Sequence, residues 1–229
     1  MATTDHAPDP RPPARRRRRD AQRNRDAIAA AARQLFCDQG LEAPLEQIAR
    51  RAGVGIATLY RHFPNRAALL DAVLTDNLQA HIDAATHALA AGDPWEGFAA
   101  YLEASCRLQA ADRGLNDVMS MRFPRATAVE AAKTRLYELV GQLVDRAQQS
   151  GQLRADLTPE DLAFLNWANT RILPAVGAAG APDAWRRHLG LWLDGLRADR
   201  AHPLPRPPLS PPQVHRAMVT LGRRSAGDR

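Results

Sequence analysis

Residues 45–66, LEQIARRAGVGIATLYRHFPNR, leave the chain little choice of local structure. Leu45, Ile48, Ala49 and Ala52 recur at spacings of three and four, which lays one apolar stripe along a short helix. Gly53-Val54-Gly55 then interrupts it. Glycine accepts the left-handed backbone that ends one helix tightly and lets another begin at a steep angle. A second short helix is expected from Ile56 to Phe63, stopped by Pro64. Two short helices around a glycine turn read as a helix-turn-helix.

The second of these helices is sorted by face. At 100° per residue Leu59, Phe63 and Ile56 share one narrow sector, while Ala57, Thr58 and Arg61 point away from it and Tyr60 and His62 flank them. Two readings fit such an outer face. It is a solvated surface, or it enters a DNA groove, where Arg reads guanine edges, Thr and Tyr reach phosphate oxygens and an apolar tip meets thymine methyls.

The distribution of charge favours the second reading. Residues 11–66 hold 13 basic and 5 acidic side chains, a net of +8, whereas residues 81–200 hold 13 basic and 15 acidic, a net of −2. The positive charge therefore belongs to the helix-turn-helix end, the footprint of a nucleic-acid module. Abundant Ala and the absence of alternating Val, Ile and Thr favour an all-helical chain. Cys37 and Cys106 are too few for a disulfide framework or a zinc site, and both sit on apolar helix faces where a buried thiol is the ordinary outcome. No apolar run is long enough to span a membrane, and no signal-peptide pattern follows Arg15–Arg19, so a cytoplasmic location is expected. No Gly-rich phosphate loop, HExxH or Ser-centred elbow is present, which argues against an enzyme. No cofactor or metal is expected either. His81 and His87 lie off a common face and are expected on the surface.

Taken in order, residues 1–19 are Pro- and Arg-rich and are expected to be a disordered arm. The Arg15–Arg19 run is either a solvated tail or an arm following the DNA backbone. A first helix is expected from about Arg23 to Gln39, burying Ile28, Ala31, Ala32, Leu35 and Phe36 and ending at Gly40. Asn65 caps a long helix from Arg66 to about Ala90. Beyond the Gly92-Asp93-Pro94 break, helical stripes run through Trp95–Cys106, Val118–Phe123, Val129–Ala147, Leu162–Ile172 and Trp185–Leu196. Thr158-Pro159-Glu160-Asp161 is an N-terminal helix signal. Residues 201–229 are Pro-rich and are expected to be a disordered tail, with a weak helical turn over Val214–Leu221.

GVGIATLYRHFPNRAALL, and AIAAAARQLFCDQGLEAPLEQIARRA before it, resemble the recognition segment of TetR-type transcriptional regulators over about Arg25 to Leu70. The resemblance implies an all-α fold of about nine helices. A three-helix DNA-binding domain (20–66) is followed by a linking helix (66–90) and a ligand-binding and dimerisation domain (91–200). Thr58, Tyr60 and His62 match positions that contact DNA, mostly phosphates. Arg61 stands at a variable position and is the candidate for base reading. Arg25 and Arg66 are expected to meet phosphates. The chain departs from the pattern where Ala43 and Pro44 replace the usual Ser or Thr. It departs again at Gly55, which lacks the common Ser hydroxyl, and at Ile56 and Ala57, which replace polar tip residues. Ile56 either packs inward, the favoured reading, or touches a thymine methyl.

The resemblance further implies a homodimer joined through its last two helices, with Leu165, Ile172, Trp185, Leu189, Trp192 and Leu196 at the interface. The partners implied are a two-fold double-stranded DNA operator and a small-molecule effector whose binding releases it. The effector pocket would lie among the fifth to eighth helices, with Trp95, Phe98, Tyr101, Met119, Met121, Phe123, Trp167 and Arg171 as candidate lining. Each of these side chains also fits plain core, and Arg171 most suggests an acidic ligand. The rival reading is an architectural DNA-binding protein that answers no small molecule.

Overall fold

The computed structural model describes residues 14–111, 126–178, 180–181, 183–214, 216–217 and 220. Among them are eight α-helices: α1 (Ala14–Gln39), α2 (Leu45–Arg51), α3 (Ile56–His62), α4 (Arg66–Leu89), α5 (Pro94–Ala111), α6 (Thr127–Gln149), α7 (Pro159–Ala178) and α8 (Ala184–Leu196). A 3-10 turn follows at Ala198–Arg200. The described residues form no β-strand, only a single antiparallel bridge between Leu153 and Arg197. The all-helical expectation holds.

The head is a three-helix unit. Ile28, Ala31, Ala32, Leu35 and Phe36 of α1 are buried with Leu45, Ile48 and Ala49 of α2 and Leu59 and Phe63 at α3. Gly53, at φ +69°, closes α2: its N–H donates to Arg50 O at 3.1 Å and that of Val54 to Ala49 O at 3.0 Å. This pair of bonds satisfies two otherwise orphaned carbonyls and turns the chain sharply into α3.

Two expected boundaries move. α1 starts at Ala14, not near Arg23, so the arm expected to be disordered over 1–19 is helical from residue 14. The reason is local: after Pro13 neither Gly nor Pro interrupts a stretch made mostly of Arg, Ala and Gln, which are strong helix formers. In the tail, residues 201–210 are irregular and largely exposed, but helical backbone resumes at Pro211 rather than at Val214. There Ser210 N and Oγ both donate to Gln213 Oε1 at 2.8 Å, a capping arrangement with Pro at the first helical position. Arg154 Nη2 also holds His202 O at 2.9 Å.

α4 runs from the head into the body. Asn65 caps it, its Oδ1 accepting Ala68 N–H at 2.9 Å. Its buried stripe passes through Leu70, Leu74, Leu78, His81, Ala85 and Ala88. His81 is therefore core at 2% exposure, not surface, because it continues that stripe; His87 is exposed. α5 and α6 pack on α4, and α7 and α8 close over α5. Asp93 caps α5 by accepting Glu96 and Trp95 N–H, which holds its carboxyl below the usual range. Asp161 caps α7 by accepting Thr158 N–H at 2.9 Å.

α4 and α6 grip each other at both ends. Asp71 Oδ1 on α4 accepts the N–H of Val129, an orphan donor in the first turn of α6, at 3.0 Å. Arg146 on α6 donates to Leu89 O at 2.5 Å and Ala91 O at 2.6 Å, closing the C-terminus of α4. Polar ties also join head and α4: Arg33 pairs with Asp76 at 2.9 Å.

Candidate nucleic-acid interface

α3 is held by its buried side and leaves a ridge outside. Leu59 and Phe63 are buried, whereas Ile56, Ala57, Tyr60 and Arg61 are exposed and stand at i, i+1, i+4 and i+5 on one surface. Thr58 and His62 are half-buried at its margins. The favoured inward packing of Ile56 is not what forms. It is 37% exposed, because it opens the helix and lies at the rim of a core centred on Leu59 and Phe63. One turn further along the helix stands Tyr60, itself 46% exposed.

Gly55 is the N-cap of α3 at φ −73°, with open space where a Cβ would stand. A serine would fit there, so glycine is not a steric requirement at this position, unlike Gly53.

The arginines divide. Arg61 is exposed on the ridge. Arg25, on α1, donates from Nη1 to His62 O at 3.2 Å, and its guanidinium lies 4.5 Å above the Phe63 ring. It closes the end of α3 while remaining exposed. Arg66 corrects the expectation of a phosphate contact. Its half-buried guanidinium donates to Leu41 O at 2.6 Å and Ala43 O at 2.9 Å. Two carbonyls of the loop before α2 have no helical partner, and the fork-shaped cation at the start of α4 satisfies both. Arg66 is thus a structural tie.

His62 Nε2 is buried without a hydrogen-bond partner. Burial, then the neighbouring Arg61 and Arg25 cations, push the imidazole below its ordinary value, so it stands neutral at pH 7. Sequence reasoning missed Asp71 and Arg146, which connect the linking helix to the body. Nothing in the local pattern names their partners.

In the body, Trp95, Phe98 and Tyr101 are buried on α5. The rings of Trp95 and Phe98 lie 5.9 Å apart, and Arg197 covers Trp95 at 3.9 Å. Burial pushes the Tyr101 phenol well above its ordinary value, against an opposing hydrogen bond with Ser105. Tyr101, Ser105 and Gln109 follow at four-residue spacing, all buried, and Gln109 Oε1 has no hydrogen-bond partner. Met119, Met121 and Phe123 lie outside the described residues, as do the side chains of Trp167, Arg171 and Ile172. Of the expected interface residues, Leu165, Trp185, Leu189 and Leu196 are buried inside their own subunit. The large apolar stripe of α8 packs on its own bundle first. What remains outward is Leu191, 60% exposed, with half-buried Trp192 and Leu193. The described residues hold no cluster of metal-ligating side chains and no helix long and apolar enough to cross a membrane.

Comparison with known proteins agrees with this geometry. Residues 28–73 match the model of bacterial regulatory proteins of the tetR family. Residues 93–198 match that of the SbtR-like transcriptional regulator C-terminal domain. An HTH-type transcriptional regulator of Staphylococcus aureus (strain USA300) is 38% identical over 66 residues, which span 28% of this chain and 36% of that protein. The matched part thus covers about a third of that relative. The TetR transcription regulatory protein of Mycobacterium vanbaalenii is 33% identical; the alignment covers 79% of this chain and 98% of that one, with a TM-score of 0.46. The TetR family transcriptional regulator PfmR of Thermus thermophilus is similar in fold, with a TM-score of 0.55 at 23% identity over 75% of this chain and 95% of its own. A three-helix head with a face-sorted α3, matched by the family's N-terminal model, and a body matched by a C-terminal domain of the same family lead to one assignment: the chain belongs to the TetR family of bacterial transcriptional regulators.

Proposed function

We propose that this regulator binds a two-fold DNA operator as a homodimer and releases it when a small molecule enters the body. The observation that carries the reading is the α3 ridge. Ile56, Ala57, Tyr60 and Arg61 are exposed on a helix pinned by Leu59 and Phe63, in the part of the chain that holds the excess positive charge. In a major groove Arg61 reads a base edge, Ile56 meets a thymine methyl, and Thr58, Tyr60 and His62 meet phosphates. Gly55 brings the backbone close to the duplex without a side chain in the way.

One such helix reads only a few base pairs. Two, set one helical turn of DNA apart, about 34–36 Å, double the contacts on a symmetric site. The surface proposed to join the two copies is the outward side of α8 around Leu191, Trp192 and Leu193, where Gly190 and Gly195 leave open space for close helix approach. The effector is proposed to enter beside α5. The buried Tyr101–Ser105–Gln109 strip supports a polar ligand that donates a hydrogen bond to Gln109 Oε1. The ligand shifts the head spacing by its differential affinity for the two arrangements. Repression from a cytoplasmic location is the proposed mode.

Selection of bound sequences from random DNA tests the reading, with light scattering to count subunits and a metabolite screen for release. A specificity ratio of about 10³ or more over random duplex supports it. A monomer that binds all duplexes alike refutes it.

A further inference from the structure

We infer that the N-terminal part of α1 is a second DNA-binding element, a basic helical extension that lies along the phosphate backbone flanking the operator; the inference rests on the DNA-binding reading above. α1 begins at Ala14, and among its described side chains, from Arg18 onward, the first buried residue is Ile28. The stretch before Ile28 carries Arg15, Arg16, Arg17, Arg18, Arg19, Arg23 and Arg25. Arg18 and Arg19 are exposed, and Arg23 is exposed and paired with Asp20.

Two features say that this helix is completed by a polyanion. It has no acidic residue in its first turn, and five consecutive arginines occupy the end where the helix dipole is already positive. Like charges three and four apart along the same helix repel. An exposed stretch of helix is marginal in water on its own, so neutralisation by phosphates adds to its stability.

Its placement selects DNA over other polyanions. Arg25 donates to His62 O and covers Phe63, so α1 crosses the C-terminal end of α3 at that residue. Toward its N-terminus the helix continues beyond that end by 11 residues to Ala14, a length of roughly 16 Å at 1.5 Å per residue. That reach is about five base-pair steps of about 3.4 Å. An extension leaving the edge that carries Tyr60, Arg61 and His62 meets the backbone next to the base pair that Arg61 reads.

The test compares the full-length protein with a variant in which Arg15 to Arg19 are all replaced by Gln, which keeps helix propensity and removes charge. Binding is measured from 50 to 200 mM salt, on a minimal operator and on one lengthened by flanking duplex. Each phosphate that is no longer neutralised lowers the salt slope by about 0.9, so the slope is expected to fall by about 2–4. The wild-type advantage then shrinks about 16- to 250-fold across that salt range. Wild type gains affinity from the flanks and the variant does not. Replacement by Lys restores the wild-type slope.

Equal slopes and equal gain from the flanks overturn the inference while leaving operator binding intact. A loss of affinity that is independent of salt overturns it too, as does binding of phosphatidylserine vesicles that disappears in the Gln variant while its DNA slope is unchanged. Failure of wild type to bind any duplex is a separate result and refutes the parent reading. Circular dichroism and melting temperature confirm that the variant keeps its fold.

Discussion

Arg66→Ala separates a structural tie from a DNA contact. Its guanidinium donates to Leu41 O at 2.6 Å and Ala43 O at 2.9 Å from a half-buried position. A hydrogen bond with one charged partner contributes about 1.5–3 kcal/mol net, and partial solvent access puts both of these at the low end. Removing a cation from the first turn of α4 returns about 0.3–1 kcal/mol, because that end of the dipole is positive. The balance is a destabilisation of about 2–3 kcal/mol. For a chain of this size each kcal/mol lowers the melting temperature by about 2–4 °C, so a fall of about 4–12 °C is expected. Thermal melting and urea unfolding read this directly. The salt slope of DNA binding, measured well below the melting temperature, stays at the wild-type value. A slope lowered by about 1 with unchanged melting would show that the carbonyl contacts are not maintained in solution and that Arg66 faces phosphate.

Other outcomes follow from single residues. Arg61→Ala relaxes preference at one base position per half-site by about 1–3 kcal/mol, read by binding a panel of operator variants. Equal losses on every duplex would reassign Arg61 to the backbone. Gly53→Ala strains the φ +69° turn and destabilises by about 1 kcal/mol, whereas Gly55→Ser at φ −73° gains a few tenths through a cap hydroxyl; paired unfolding curves compare them. His62 is held below its ordinary pKa of 6.5 in the folded head, so the unfolded chain takes up its proton first. Its contribution to stability is present above about pH 6.5 and is lost as pH falls through the interval below it. His62→Gln removes that increment from the difference between the two melting profiles, and an identical pH profile for both proteins would refute it.

Much of the fold was legible because its signals are local. Gly53 after the Ile48-Ala49 stripe, Asn65 before Arg66 and Thr158-Pro159 before Asp161 each specify a helix end within a few residues. His81 was misread as a surface residue from its polarity, which its place on the Leu74–Leu78–Ala85 stripe outweighs. Other features depend on a partner distant in sequence. Arg66 and Arg146 find carbonyls 23 or more residues away, and periodicity reports a face, never the group opposite it. Ile56 illustrates the same point within one turn. The helical wheel places it beside Leu59, but the position of α2 decides where the core stops. In α8 the apolar stripe was correctly read, yet which of two possible surfaces it packs on is a property of the bundle.

The double grip between α4 and α6 makes the pair behave as one bar. A helix of 24 residues extends about 36 Å. With Asp71 and Arg146 fastening opposite ends, the two cannot slide past each other without breaking a charge-assisted bond. Movement in the body therefore reaches the head as tilt. Five degrees over that length displaces the far end by about 3 Å, which exceeds the tolerance of a hydrogen bond to phosphate. In the dimer proposed above, two heads swung in opposite senses lose register with a duplex whose period is fixed, so the proposed release of DNA needs only a small change in the body.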